Sequence, residues 1–418
     1  MGHPRTSRRR EADVVTANST LPLPYRRDPS SPIDPDQEFT RLRAEEPIVR
    51  VQLNSADWVW LVTRFDDARQ ALGDPHFSSE LTPLGIVLPE PENRTLAEEL
   101  RSRQPGTFIE CDPPEHTRLR QMVAGEFTAA RMSRLRPMVE EVVDTCLDAM
   151  AAAGPPVDLI DTYALPVPSG IIRDMLGIPA DEEFDFAGLT AIMTDVMSDL
   201  ETLIPARDAL RSGMRELVTR TRTDPGDTVL GRIITEYRDS VTDEELVGIG
   251  NLLLVAGHET TANMLGIGTL ALLQHPDQLA MLRDGHVDTD DAIDELVRYV
   301  SIPQHGEIRT ATQDVIINGT LIRRGEQVLV SIPSANRDAT RFPDPDRLDL
   351  ARAPRTHLAY GHGLHHCIGK SLARLEMRIA FPVLLRRFPT LRLAAPVDDI
   401  PFRRSNVTYG VRALPVTW

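Results

Sequence analysis

A chain of 418 residues with 62 acidic and 46 basic side chains, net charge -16, has no general electrostatic hold on a polyanion, so a nucleic-acid partner is not expected. Three widely scattered cysteines, Cys111, Cys146 and Cys367, argue against a disulfide framework and fit a reducing cytoplasm. No run of about 18 apolar residues occurs, so no membrane span is expected, and the amino-terminal stretch lacks the apolar core of a secretion signal.

Residues 1–35 join Arg5, Arg8, Arg9 and Arg10 to Pro22, Pro24, Pro29, Pro32 and Pro35 and read as a flexible, extended arm. From residue 36 to 418 no composition break, internal repeat or low-complexity tract marks a boundary. Length alone allows two or three domains, and the even composition points to one. The next strong signal is Thr242-Asp243-Glu244-Glu245, a threonine cap with glutamate three residues on. The helix it opens can run to Gln274, where His275-Pro276 stops it, a length of roughly 48 Å at 1.5 Å per residue. Leu246, Ile249, Leu253, Ala256, Gly257, Thr260, Met264 and Ile267 form one stripe. Thr260 stands in the middle of it, where its hydroxyl can bond the Ala256 carbonyl and open a small polar notch. Glu259 flanks the stripe as a possible proton relay or as a plain surface residue, and His258 projects off it as a packing or surface residue.

Glu295 and Arg298 lie one turn apart on a helix whose apolar face is Ile293, Leu296, Val297 and Val300. By angle they sit opposite that face, so spacing alone makes them a solvated pair unless another layer covers them. The segment from His357 to Lys370, reading His-Leu-Ala-Tyr-Gly-His-Gly-Leu-His-His-Cys-Ile-Gly-Lys, then carries Cys367. Ile368, Leu372, Leu375 and Ile379 recur at helical spacing, which places Cys367 at or near a helix start. Unpaired N–H groups and the helix dipole favour an anion there and lower a thiol pKa. Gly361, Gly363 and Gly369 allow a flat cofactor to approach the backbone. A buried apolar cysteine is the plain alternative. Zinc is suggested by His362, His365 and His366, but a second pair of spaced ligands is missing. Lys370 is the only lysine in the chain, read as a solvated residue or as a cation facing an acidic partner. The arginine bias elsewhere fits a GC-rich bacterial genome.

Taken together, these sites resemble the cytochrome P450 superfamily, in particular its bacterial heme-thiolate monooxygenases without a membrane anchor, from about Asp36 to the carboxy terminus. Asp112-Pro113-Pro114-Glu115-His116-Thr117-Arg118-Leu119-Arg120 looks like the family's C helix. Ala256-Gly257-His258-Glu259-Thr260-Thr261 resembles its oxygen-activating I helix, and Glu295-Leu296-Val297-Arg298 its Glu-x-x-Arg pair. Ala335-Asn336-Arg337-Asp338 and Phe342-Pro343-Asp344-Pro345 are similar to the approach to the heme loop. The Gly-x-Gly-x-His-x-Cys-x-Gly loop is the most specific of these, and all of them stand in the family's order.

The resemblance implies a mainly α, single-domain P450 fold: a triangular helical body with a smaller β-rich region, and heme b between the long I helix and the helix after Cys367. It makes Cys367 the axial thiolate, whose electron donation favours O–O cleavage. Glu259 and Thr260 match the catalytic acid–alcohol pair. His116, Arg120, Arg309 and His365 match the heme-propionate donors, with Ala256, Gly257, Tyr360, Gly361 and Gly369 against the cofactor. Glu295 and Arg298 become a buried structural lock, with Arg352 as a third member. Tyr360 departs from the pattern, which usually has phenylalanine; its hydroxyl needs a partner or tunes the sulfur's surroundings. The implied reaction is O2 activation with hydroxylation or epoxidation of a small molecule. Electrons would come from NAD(P)H through a separate ferredoxin and reductase, with Arg118 and Arg374 meeting an acidic ferredoxin. A cytoplasmic monomer is expected. Alternatives are peroxide-driven turnover, oxidative coupling or a carrier-bound substrate, and a non-catalytic heme sensor. The pocket would be lined from Leu81–Phe108, Phe184–Leu203, Leu252–Ala256 (Leu252, Val255 and Ala256), Ile302–Glu307 and Ser405–Thr408. His305 and Glu307 suggest a substrate with polar functions, such as a glycosylated or amino-acid-derived natural product.

Overall fold

A computed structural model describes residues 27–28, 30–52, 58–80, 104–179, 184–195, 198–304 and 307–418. Helices dominate it: α1 (Glu38–Glu45), α2 (Phe65–Gly73), α3 (Glu115–Ala124), α4 (Ala129–Ala153), α5 (Pro166–Leu176), α6 (Phe186–Thr194), α7 (Leu200–Thr223), α8 (Val229–Tyr237), α9 (Asp243–Gln274), α10 (Pro276–Arg283), α11 (Thr289–Val300) and α12 (Lys370–Arg387). The strands are β1 (Arg27–Asp28), β2 (Ser31–Pro35), β3 (Ile48–Gln52), β4 (Trp58–Val62), β5 (Phe77–Ser78), β6 (Val157–Asp158), β7 (Glu307–Ala311), β8 (Val315–Ile317), β9 (Thr320–Ile322), β10 (Gln327–Val330), β11 (Arg392–Leu393) and β12 (Pro415–Thr417). The mainly helical, single-domain expectation holds.

The long helix runs between the residues its sequence signals mark. Thr242 Oγ1 accepts from the Glu245 amide at 3.2 Å while the Glu245 carboxylate accepts from the Thr242 amide at 2.8 Å. Two of the four orphan donors of the first turn are thereby satisfied. Its burial differs from the one-stripe reading. Every residue from Thr261 to Leu272 is buried, because α5, α7, α11 and α12 all pack on α9. A helix wrapped on all sides has no polar face, so a stripe argument recovers only part of its core.

A five-stranded sheet of order β3-β4-β10-β7-β5 flanks the helices, with β10 parallel to β4 and the other neighbours antiparallel. The β8–β9 hairpin turns through Asn318 (φ 46°) and Gly319 (φ 78°), the two positive angles of a type I′ turn. β7 carries Arg309 into the interior through its register with Val328. Residues expected to belong to the amino-terminal arm are partly structured. Arg27 donates to Ile33 O (3.0 Å) and Ser301 O (3.0 Å), tying β1 and β2 to the end of α11.

Candidate active site

The loop ahead of α12 is closed by its own backbone. Gly361 N donates to Leu358 O (2.8 Å), His366 N to Gly363 O (3.1 Å) and Cys367 N to Tyr360 O (2.9 Å). Asn336 Oδ1 accepts from Leu358 N at 2.8 Å and so ties the preceding segment to the loop. Gly363 adopts φ +74°, and a Cβ there would lie 2.5 Å from Leu72 O at the end of α2, so only glycine fits. Gly369, by contrast, has φ -80° and caps α12, an angle open to any residue. Cys367 therefore lies three residues before the first helical residue. The Gly369 and Lys370 amides donate toward its sulfur, and Arg120 and Lys370 add positive charge. Part of its surface is accessible, yet it lies deep, and desolvation outweighs these donors. Burial pushes the Cys367 thiol above its usual pKa, the reverse of the helix-dipole expectation. Such a sulfur becomes a thiolate by binding a metal cation.

Four basic side chains converge near this loop from three elements. α3 supplies His116 and Arg120, one turn apart, β7 supplies Arg309, and the loop supplies His365. The His116 and His365 rings lie 4.4 Å apart, and Arg120 donates to His366 O at 2.5 Å. His116 is 0% exposed and neither ring nitrogen has a partner among the described residues. Burial, with Arg309, His116 and Arg120 close by, pushes His365 down to about 3. Both imidazoles are thus neutral donors, and Arg120 and Arg309 carry the positive charge. Among the described residues, the one carboxylate bonded to these four is Glu307, 3.2 Å from Arg309 and 37% exposed. A buried, under-compensated cluster of this kind needs an anion. Within the His362, His365 and His366 group the rings diverge: His362 turns to Arg69 (3.4 Å) and His365 to His116. Among the described residues no three His, Cys, Asp or Glu side chains form a metal-binding group.

On α9 the expected notch is present. Thr260 Oγ1 donates to Ala256 O at 2.8 Å, and Ala256 is exposed between buried Leu254 and His258. Leu252, Val255, Gly257 and Thr260 are half-buried, which gives this stretch an open, mostly apolar face. Glu259 is not a surface residue. It is 4% exposed, and its Oε1 accepts from Arg403 Nη1 at 2.7 Å. Burial pushes its carboxyl up, while Arg403 and Thr194 pull it back. His258 is a packing residue, bonded to Leu254 O (2.7 Å) and Thr190 Oγ1 (2.9 Å) and edge-on to Phe186. Spacing gave no hint of Arg403, which comes from a segment 144 positions away.

Glu295 and Arg298 are both 0% exposed and joined by two bonds of 2.7 and 2.9 Å. The covering layer is the segment before the heme-type loop. Arg298 donates to Asn336 O (2.8 Å) and Pro345 O (3.0 Å), and Arg352 reaches Glu295 Oε1 at 3.0 Å. The pair is therefore buried and bonded to that layer, and the solvated geometry read from helix angle alone is not what the fold adopts. Tyr360 keeps its hydroxyl buried and without a partner among the described residues. Lys370 is half-buried and has no acidic partner among the described residues; its ammonium lies 5.2 Å above the Tyr360 ring. Arg118 and Arg374 are already engaged, the first by Glu115 and Glu245, the second by Asp290 and Asp294. Each keeps part of its side chain exposed, 39% for Arg118 and 27% for Arg374. His305 and most of the Leu81–Phe108 stretch lie outside the described residues. Glu307 accepts from Arg309 Nη1 at 3.2 Å and stays partly exposed. Glu376 went unremarked in the sequence. It is 1% exposed on α12 with Oε2 unpartnered, and its place on the stripe between Leu372 and Ile379 was the available signal.

The donor set fits a heme: one thiol at the bottom of a loop under two amides, and an under-compensated basic cluster matched to two propionates. Comparison with known proteins agrees. The sequence profile of the family described as Cytochrome P450 matches residues 289–404. Cytochrome P450-SU2 of Streptomyces griseolus is 40% identical over 410 residues, 97% of this chain and 100% of that protein. Pentalenic acid synthase of Streptomyces avermitilis is 41% identical over 403 residues, 96% of this chain and 98% of that protein. The crystal structure of CYP105P1 in complex with filipin I superposes with a TM-score of 0.86 at 39% identity, covering 96% of this chain and 99% of that one. The chain belongs to the cytochrome P450 family and is a monooxygenase carrying a thiolate-ligated heme, supplied with electrons from NAD(P)H through partner proteins.

Proposed function

We propose that this enzyme hydroxylates or epoxidises a secondary metabolite, with electrons delivered by a separate ferredoxin and its reductase. The observation that carries this reading is the occurrence in one fold of a Cys367 loop with two amides at its sulfur and an α9 stretch holding a back-bonded hydroxyl and a buried acid. Cys367 would hold the heme iron through its thiolate, and His116, Arg120, Arg309 and His365 would hold the propionates. The heme would supply oxygen activation, which thiolate donation assists. The chain's own residues do the rest. Leu252, Val255 and Ala256 present apolar surface to the substrate and exclude water. Thr260 Oγ1, held by the Ala256 carbonyl, offers a hydrogen bond at the notch. Glu259 Oε2, unpartnered beside an anchored Oε1, takes and returns protons. A sensor or electron carrier needs no such acid and alcohol.

Relatives named for pentalenic acid and crystallised with filipin I support a natural-product substrate. Spectral binding titrations of the ferric enzyme against a panel of natural products test this. A ligand that displaces axial water shifts the Soret band, and that ligand should be oxygenated when a ferredoxin chain is supplied. Failure of every shifting ligand to turn over would remove the proposal. The ferrous–CO complex should show the red-shifted Soret band of thiolate ligation, and Cys367→Ser should lose it.

A further inference from the structure

We propose that Arg403 is the positioning residue for Glu259, and that the carboxy-terminal hairpin carrying it couples the substrate-side wall of the pocket to that acid. The inference rests on the reading of Glu259 as the proton-delivering group. Arg403 and Glu259 meet at 2.7 Å with side chains 17% and 6% exposed. The grip is one-handed. Arg403 Nη1 holds Oε1, while Arg403 Nε and Glu259 Oε2 are both buried without partners among the described residues. A bidentate pair would tie up both carboxylate oxygens. Here one oxygen is anchored by a cation, while the other has no charged partner among the described residues, only the neutral Thr194 hydroxyl near the carboxyl, and can exchange a proton.

The hairpin spans residues 402–411. Phe402 bridges Val411, and Arg403 N donates to Gly410 O at 2.8 Å. Its inner side lies flush on α9 one turn beyond Glu259. Asn263 Nδ2 donates to Thr408 Oγ1 at 2.8 Å, and a Cβ at Gly410 would come within 2.1 Å of Asn263 Oδ1. Its tip reaches two other pocket segments. Val407 N donates to Thr194 O at the end of α6 (2.8 Å), and Gln304 N donates to Val407 O (3.1 Å). Asn406 bridges Asp195, and the Val407 side chain is 40% exposed. The end of α6, residues 302–304 and the tip itself are the stretches expected to touch substrate. A ligand pressing on them moves one short, continuous hairpin whose base holds the Oε1 anchor. The titratable groups facing Glu259 are Arg403 and Asp195. His258, on the same helix, turns its ring to Thr190.

The test uses the ferric holoenzyme with Arg403→Gln, Arg403→Lys, Glu259→Gln and the double variant R403Q/E259Q. Thermal unfolding is followed from pH 6 to 9 without substrate or redox partners. Removing the cation leaves a buried carboxyl whose folded pKa rises further above its unfolded value, so stability falls as pH rises. R403Q should lose midpoint relative to E259Q as pH rises, by at most about 1.5 °C per pH unit. The double variant should abolish that slope, and R403K should restore it toward wild type. Losses that simply add, with parallel pH profiles, would mean that Arg403 does not hold Glu259. The second measurement is product formed per NADPH with a panel ligand, driven by a plant-type ferredoxin and reductase. R403Q should fall at least tenfold, R403K should recover at least half, and the ligand's spectral dissociation constant should change less than twofold. An unchanged ratio in R403Q would overturn the positioning role. If wild type itself oxygenates no ligand, the functional reading fails, and the unfolding cycle still decides whether Arg403 anchors Glu259.

Discussion

Buried Glu376 should make the stability of the fold depend on pH. Its carboxyl is buried on α12, Oε2 has no hydrogen-bond partner among the described residues, and desolvation alone pushes it up to about 8. No charged group of α12 or of the helices packed on it contributes to that shift. An acid whose folded pKa exceeds its unfolded value contributes its full stability below the unfolded pKa and loses it as pH rises through the folded one. The window here runs from the ordinary carboxylate value of 4.5 to about 8. At about 1.4 kcal/mol per unit, the loss reaches roughly 3 kcal/mol at pH 7 and roughly 5 kcal/mol above pH 8. Glu376→Gln keeps the shape and removes the titration. With an unfolding entropy of about 2.1 cal/mol/K per residue, 1 kcal/mol moves the midpoint of a 418-residue chain by about 1 °C. Thermal unfolding of the two ferric holoenzymes should show the variant ahead by about 1 °C at pH 5, about 4 °C at pH 7 and about 5 °C at pH 8. A gap that stays constant between pH 5 and 8, or a wild type that gains on the variant, would refute a neutral buried Glu376.

Further outcomes follow from the same contacts. Glu295→Gln leaves Arg298 buried and unpaired, at a cost of about 3–5 kcal/mol, and should be read in denaturant unfolding and reduced heme retention. Arg352→Ala, which removes the partly exposed third member, should cost about 1 kcal/mol or less by the same measurement. Tyr360→Phe deletes a buried hydroxyl without a partner and should be neutral or stabilising by about 1 kcal/mol; a clear loss would show that the hydroxyl is bonded. Thr260→Ala should keep ligand binding and NADPH consumption but lose product about tenfold, with hydrogen peroxide rising in its place.

Local chemistry was legible in the chain wherever neighbours in sequence are neighbours in space. The capping box of α9 and its stop at His275-Pro276 were readable because caps act within one turn. The Thr260 back-bond was readable for the same reason. The ordered motifs around Cys367 identified the family. Helix angles alone misplaced Glu295 and Arg298, since the layer burying them comes from Asn336 and Pro345, whose approach no local spacing encodes. The Cys367 pKa went the same way. The helix start is local and favours an anion, but the desolvation that outweighs it comes from the whole surrounding fold. Glu259 and Arg403 meet only because the final hairpin returns to lie on α9. By itself, then, the sequence determined which chemistry this chain is equipped for, because ligands, caps and glycine turns are short-range requirements. Only the tertiary structure decided which charges are buried, what anchors the acid and which arginines are engaged by acids, because burial and long-range pairing depend on segments that the linear order keeps apart.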